Sequence, residues 1–318
     1  MTFYDGYGNP VELGGASVVS GTSVSSVNTL TGGHGHEDTY AKTAGLTPKW
    51  SGIFCIHRGW YTAPQNTLQA IWETKKNGIN MVELDIRRTS DGQYVLCHDP
   101  TATGTVDGVS TTYTIADETL ETLKGLCIGN SNFPNAMMAS LEEALAFCRR
   151  IGMQIDLDLK TQDNQAYLDV LELAKKYSMQ DDVLFCCYAL SYAQAVKEAY
   201  PKASVRVDLG HIINNTALDS YCANEQGNVY FYVNAQICGK TDGSNLTGNV
   251  NFENDILPAK QRGYKMYIWN VSSRDLGSIH DCIQWEPDIL QLASYQESNN
   301  FLSMIQGNTQ EKFADVVW

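Results

Sequence analysis

Two short stretches of this sequence carry carboxylates at alternate positions: Met81-Val82-Glu83-Leu84-Asp85-Ile86-Arg87 and Gln154-Ile155-Asp156-Leu157-Asp158-Leu159-Lys160. Side chains of a β-strand alternate between its faces, so Glu83 and Asp85 share one face while Val82, Leu84 and Ile86 share the other. In the second stretch Asp156, Asp158 and Lys160 oppose Ile155, Leu157 and Leu159. If the apolar faces meet packed helices, the acids point inward, where a carboxylate is costly unless paired or bound to metal. Glu83, Asp85 and Asp158 then form an all-oxygen ligand set, which suits Mg²⁺ or Ca²⁺ better than zinc. Lys160 offers a competing account, as a purely structural counter-ion to the acids. For Asp156 that account has at least equal weight.

Two histidines fall where they could serve such a cation. His57-Arg58-Gly59 ends an apolar run, and Asp91-Gly92 between two β-like runs signals a two-residue hairpin. With Ser90 opposite Gln93, counting back sets His98 opposite Asp85, and directly opposed residues share a face. His57 and His98 would flank a metal-bound phosphate from different strands. Cleaving a phosphodiester needs one group to deprotonate the attacking oxygen and another to protonate the leaving alkoxide. Imidazoles, which titrate near neutrality, suit both tasks. Arg58 and Lys160 would stabilise the charge that develops on the phosphoryl oxygens.

These residues need a scaffold that gathers strand ends. From residue 51 onward, short apolar runs alternate with amphipathic stretches, the pattern of repeated βα units. Strands are expected at 52–57, 81–89, 153–160, 183–188, 204–209, 229–233, 264–270 and 288–292. Helices are expected at 67–77, 141–150, 165–177, 192–200, 216–226, 253–262, 273–284 and 296–306. Eight such units over about 250 residues close a (β/α)₈ TIM barrel, whose catalytic groups come from the C-terminal ends of the strands. An open doubly wound sheet is disfavoured because no glycine-rich dinucleotide fingerprint follows the first strand. Residues 1–50 are rich in Gly, Ser and Thr with little apolar periodicity. They read as an N-terminal extension or arm, ahead of a barrel in 51–318.

The run His57-Arg58-Gly59, Pro64-Gln65-Asn66-Thr67, Glu83-Leu84-Asp85, Thr89, Asp91-Gly92 and His98-Asp99 resembles the signature of the glycerophosphodiester phosphodiesterases. The resemblance extends over roughly residues 53–295, and six spaced elements agree in order within its first part. It implies a TIM barrel that uses a divalent cation to hydrolyse glycerophosphodiesters to an alcohol and glycerol 3-phosphate. Carried over residue by residue, it implies Glu83 and Asp85 as metal ligands and His57 and His98 as the acid/base pair. Arg58 and Lys160 become phosphate contacts, and Asn66 organises the loop above His57. Trp269, in Ile268-Trp269-Asn270, matches a family region only in part and would wall the substrate pocket, with core packing as its equal alternative. Three departures stand out. Gln65 replaces a usual Glu, Asp158 stands where Glu is common, and Leu292-Ala293-Ser294-Tyr295 replaces Thr-Asp-x-Pro. Asp158-Leu159-Lys160 is also similar to the sphingomyelinase D branch of the superfamily, which makes phospholipase D-like cleavage of lysophospholipids the alternative activity.

Composition narrows the partners. Thirty-six acidic against 22 basic residues give a formal charge of −14, which disfavours nucleic acid and anionic membranes. A small phosphodiester remains compatible if a cation offsets the field locally. Nine cysteines, an odd number without a C-x-x-C pair, indicate free thiols in a reducing compartment over a disulfide framework or zinc site. The N-terminus lacks a basic-then-apolar leader, and no stretch reaches the ~18 apolar residues of a membrane span. The expectation is a cytoplasmic protein without stable membrane insertion, or a secreted one if a leader has been removed. A non-catalytic barrel docked through residues 1–50 to a protein partner is the contrasting class, and the set of mutually repelling acids argues against it.

Overall fold

The computed structural model describes residues 3–4, 10–11, 52–222, 228–235, 252–271, 282–283 and 285–293. The Gly/Ser-rich extension therefore lies outside the described residues, apart from a two-residue pairing of Phe3–Tyr4 with Pro10–Val11. The expected helix at 296–306 and nearly all of that at 273–284 lie outside them as well.

Eight parallel strands close into a barrel with helices between them, as the alternation of apolar and amphipathic stretches requires. They are β1 (Ile53–His57), β2 (Met81–Arg88), β6 (Gln154–Leu159), β7 (Val183–Cys186), β8 (Ser204–Asp208), β9 (Val229–Asn234), β10 (Lys265–Val271) and β11 (Ile289–Leu292). Their order around the ring is β1-β11-β10-β9-β8-β7-β6-β2, and a β1–β2 pairing seals it. Three short strands follow β2. They are β3 (Tyr94–Leu96), antiparallel to β2, and a separate hairpin of β4 (Thr101–Val106) and β5 (Val109–Thr114). The hairpin was not expected, although Asp107 and Gly108 between its strands both take positive φ, +50° and +79°. That is the left-handed pair a two-residue turn of this type needs.

Helices begin where the sequence offers caps. Thr67 caps α1 (Leu68–Lys76) by accepting from the Ala70 N–H. Ser140 and Glu143 form a reciprocal capping box on α3 (Leu141–Ile151), which Gly152 ends in the left-handed conformation. Asp163 caps α4 (Asn164–Lys176), and α5 (Leu190–Ala199) follows β7. A short α2 (Leu120–Lys124) precedes α3. Of the expected helix at 216–226 the described residues hold α7 (Asp219–Cys222), with 223–226 outside them, and an unexpected short α6 (Leu209–Ile213) precedes it. Asp208 starts the first immediately after β8 by accepting from the Gly210 N–H. The expected helix at 253–262 is a wide turn at Phe252–Ile256 followed by α8 (Leu257–Gln261).

The core has two parts. Outward-facing strand residues such as Val82, Leu84, Ile155, Leu157, Val205 and Phe231 pack against the helices. Inside the ring, Cys55, Met81, Leu184, Tyr230, Tyr267 and Ile289 fill one end. Apolar filling at that end leaves the polar inward positions for the C-terminal end of the strands. All eight described cysteines are free thiols, and Cys238 lies outside the described residues. No helix among the described residues is long and apolar enough to cross a membrane.

Candidate active site

The strand register brings the acids together before any side chain is considered. His57 pairs with Glu83 across β1 and β2, and Glu83 and Asp85 pair with Asp156 and Asp158 across β2 and β6. Carboxylate oxygens of Glu83, Asp85 and Asp158 lie within 4.8 Å of one another. Glu83 and Asp85 are each only 1% exposed, so a group that joins these acids would act with little screening by solvent.

A strained turn after β1 supports this cluster. Arg58 takes φ +58° and Gly59 φ +86°, and a Cβ at Gly59 would lie 2.5 Å from the Ala70 Cβ on α1. Only glycine fits there. The turn aims the Arg58 backbone N–H at Glu83 Oε2, 3.0 Å away. It also lays the guanidinium Nε 3.1 Å from Asp85 Oδ2, while Nη1 donates to Gln65. Asn66, also at positive φ (+57°), donates its backbone N–H to the Arg58 carbonyl. Its side chain clasps Asp85 twice, donating to Oδ2 at 2.8 Å and accepting from the Asp85 N–H at 3.0 Å. Asn66 thus links the loop at His57 to a carboxylate on the next strand.

Lys160 lies between two of the acids, 2.9 Å from Asp85 Oδ1 and 3.0 Å from Asp158 Oδ2. The ion pair with Lys160 is the contact of the buried Asp85 Oδ1, which has no other hydrogen-bond partner among the described residues. An oxygen in that condition, in an all-oxygen trio, fits a hard divalent cation. Burial and then the charges of Asp85 and Asp158 push the Glu83 carboxyl well above its ordinary range. Burial pushes Asp85 up too, but Lys160, Asn66 and Arg58 outweigh it and bring the group down. For Lys160, burial opposes the charge, and Asp158 with Asp85 overcomes it. His57 Nε2 lies 3.8 Å from Glu83 Oε2. Burial, then the neighbouring Arg58, lowers His57 to about 4, which leaves a neutral imidazole at neutral pH.

The hairpin register differs by one from the expectation. Thr89, not Ser90, pairs with Gln93 by donating its N–H to the Gln93 carbonyl, and Gly92 takes φ +77°. The loop therefore holds three residues, with glycine at its left-handed position. Arg88 opposes Tyr94 and Ile86 opposes Leu96, so Cys97, whose N–H donates to the Asp85 carbonyl, takes the place expected of His98. His98 is nevertheless near enough to His57 for its charge to disfavour protonation there. Its Nδ1 is 2.7 Å from Asp99 Oδ1.

The structural account of Asp156 holds, with a different partner. Asp156 is paired with Arg206 on β8, whose Nε donates at 2.9 Å, and with the Tyr267 hydroxyl at 2.6 Å. Lys160 bonds Asp158 instead. The Arg206 guanidinium stacks 4.7 Å from the Tyr267 ring centre and 5.3 Å from that of Tyr232. Arg206 was not expected as a partner of the acids, although its alternate position with Asp208 in Ser204-Val205-Arg206-Val207-Asp208 was a signal that could have found it. Tyr188 was not foreseen as a site residue, and its hydroxyl lies 2.8 Å from both oxygens of Asp158. Trp269 is 37% exposed. It lies on the strand face of Tyr267, beside an irregular step in the β10–β11 register, so core packing does not describe it.

The sequence profile of the Glycerophosphoryl diester phosphodiesterase family matches residues 57–290. The chain belongs to that family. Among curated proteins it is 38% identical to human Glycerophosphodiester phosphodiesterase 1 over 135 residues, 41% of this chain and 39% of that protein. The bovine counterpart is 39% identical over 127 residues, which cover 38% of this chain and 37% of the bovine protein. The matched stretch thus spans about two-fifths of these relatives' length. Among solved structures, a glycerophosphodiester phosphodiesterase from Agrobacterium tumefaciens superposes with a TM-score of 0.60 at 18% identity, covering 79% of this chain and 99% of that one. An Oleispira antarctica phosphodiesterase in complex with the product sn-glycerol-3-phosphate gives 0.60 at 19% identity, covering 83% of this chain and 98% of that one. At these identities the structural likeness is one of fold, and membership of the family rests on the profile.

Proposed function

We propose that this chain hydrolyses glycerophosphodiesters to an alcohol and glycerol 3-phosphate, with a divalent cation held by Glu83, Asp85 and Asp158. The observation that carries this reading is the convergence of those three acids with His57, Arg58 and Lys160 at one barrel mouth. Mg²⁺ and Ca²⁺ both suit an all-oxygen trio. A cation bound there would supply Lewis-acid stabilisation of charge on the phosphoryl oxygens.

The remaining chemistry falls to the chain's own groups. His57, neutral because burial and Arg58 lower it to about 4, accepts a proton from the attacking water as the water oxygen bonds to phosphorus. The bond from phosphorus to the departing alcohol oxygen breaks, and His98 returns a proton to that oxygen. Arg58 and Lys160 face the growing charge on the phosphate. Trp269, exposed at the end of β10, walls the substrate side of the mouth. The field of a chain with formal charge −14 makes these local cations necessary for an anionic substrate.

The test is release of glycerol 3-phosphate from glycerophosphocholine and glycerophosphoethanolamine, with and without EDTA, by wild type, His57→Ala and His98→Ala. Loss in chelator, recovery with Mg²⁺ or Ca²⁺, and loss in both variants are expected. Full turnover in chelator, or undiminished turnover in either variant, would sink the reading.

A further inference from the structure

His98 directly follows the end of the ladder that carries it, yet its carbonyl still meets the acid-bearing strand through Arg87. β3 stops at Leu96, and the next backbone tie to β2 is the Cys97 N–H on the Asp85 carbonyl, 3.0 Å away. Continued in this register, the strand would put the Cys97 side chain on the face of the acids and His98 on the other. The chain must leave the ladder at this point for His98 to act beside His57.

Arg87 sits where it can hold that departure. It follows Asp85 by two residues on β2 and so leaves the strand on the face of the acids, one step nearer the mouth. Its Nε and Nη2 both donate to one acceptor, the carbonyl oxygen of His98, at 2.9 and 2.6 Å. Two donors of a rigid, charged fork on one oxygen fix position as well as supplying energy. Asp99 meanwhile holds Nδ1 of the imidazole, so backbone and ring are anchored by different groups.

We propose that Arg87 is a positioning residue that holds His98 at the barrel mouth by capturing its carbonyl oxygen where the β2–β3 ladder ends. This rests on the reading of His98 as the proton donor. Shifting a reacting group by about 1 Å is enough to lose on the order of 10²-fold in rate.

The experiment compares full-length wild type, Arg87→Met, Arg87→Lys and Arg87→Ala with glycerophosphocholine as substrate and Mg²⁺ as cation. For Arg87→Met, kcat falls on the order of 10²-fold, while KM, calorimetric Mg²⁺ affinity and melting temperature stay at wild-type values. Lysine, with a single ammonium in place of the fork, restores part of kcat, and added guanidinium restores part of it to Arg87→Ala. The His98 imidazole resonances move in Arg87→Met and those of His57 do not. An unchanged kcat in Arg87→Met, or a loss that tracks Mg²⁺ affinity and melting temperature, overturns the proposal. If wild type turns over no glycerophosphodiester, the activity reading fails. The clamp is then judged by the imidazole resonances alone, and it is overturned if His98 does not move.

Discussion

Asp156 and Asp158 lie two residues apart on β6, point to the same side, and have opposite surroundings. Asp156 is fully buried, paired with Arg206 and hydrogen-bonded by Tyr267. Burial pushes its carboxyl up against the pull of those two partners, and charge-assisted bonds at 2.9 and 2.6 Å are what keep the pair ionic. Asp158 is nearer solvent and meets Lys160, the Tyr188 hydroxyl and two further acids. The lower acid is closed off by a stacked guanidinium, whereas the upper acids repel one another and Asp85 Oδ1 has only the Lys160 ammonium beside it. Alternation along a strand aligns carboxylates, and the neighbouring strands decide which become framework and which stay open to a ligand.

The largest effect that would sharpen this contrast is on activity. Asp85→Asn is expected to lower kcat/KM on the order of 10³-fold, the loss typical of a group that organises transition-state charge, with a smaller loss of stability than at Asp156, because relief of the repulsion with Glu83 offsets part of what Arg58 and Lys160 lose. Calorimetric Mg²⁺ binding and urea denaturation of the same sample separate the two. Comparable destabilisation with retained Mg²⁺ binding would put Asp85 with the framework acids.

Asp156→Asn should do the reverse. It strands the Arg206 guanidinium in the barrel, which costs about 3–5 kcal/mol of stability for a broken buried pair. Asp156→Asn/Arg206→Met should regain most of that in urea melts. Survival of full stability in the single variant would erase the distinction between the layers.

The smallest effect is a displaced pH limb. Because His57 is lowered to about 4 by burial and then by Arg58, its base form persists until pH falls through about 4, well below the ordinary 6.5. The acid limb of kcat/KM should lie there, and Arg58→Gln should move it upward. The unfolded chain binds that proton at higher pH than the folded one, so stability contributed by neutral His57 is lost as pH drops from 6.5 to about 4. A limb near 6.5 in both proteins would remove His57 as the shielded base.

The barrel was legible because its eight strands are short apolar runs whose period is unambiguous, and all eight occur within a residue or two of expectation. Glu83, Asp85, Asp158 and Lys160 could be aligned for the same reason, since strand parity fixes their side, whereas Arg58 sits in the turn beyond β1 where parity says nothing. What depended on backbone detail was harder to read. The hairpin register turned on whether Gly92 closes a two- or a three-residue loop, and one residue of difference exchanged His98 for Cys97 opposite Asp85. The segment at 209–222 breaks into two short helices, the first started by Asp208 within two residues of the strand end. Arg206 and Arg87 share strand faces with acids, but their partners, Asp156 and the His98 carbonyl, come from chain segments 50 and 11 residues away.

Closure of the ring has a consequence for synthesis. β1 is gripped on one flank by β2 and on the other by β11, the last of the eight staves to leave the ribosome. His57 and Glu83 are made early and within 26 residues of each other, yet their stave keeps a bare edge until residues 289–292 arrive. A nascent chain stalled before that point would expose unpaired backbone on both β1 and β10, the geometry that recruits foreign strands. His57 and Glu83 are therefore seated in their final frame only when the whole hoop is complete.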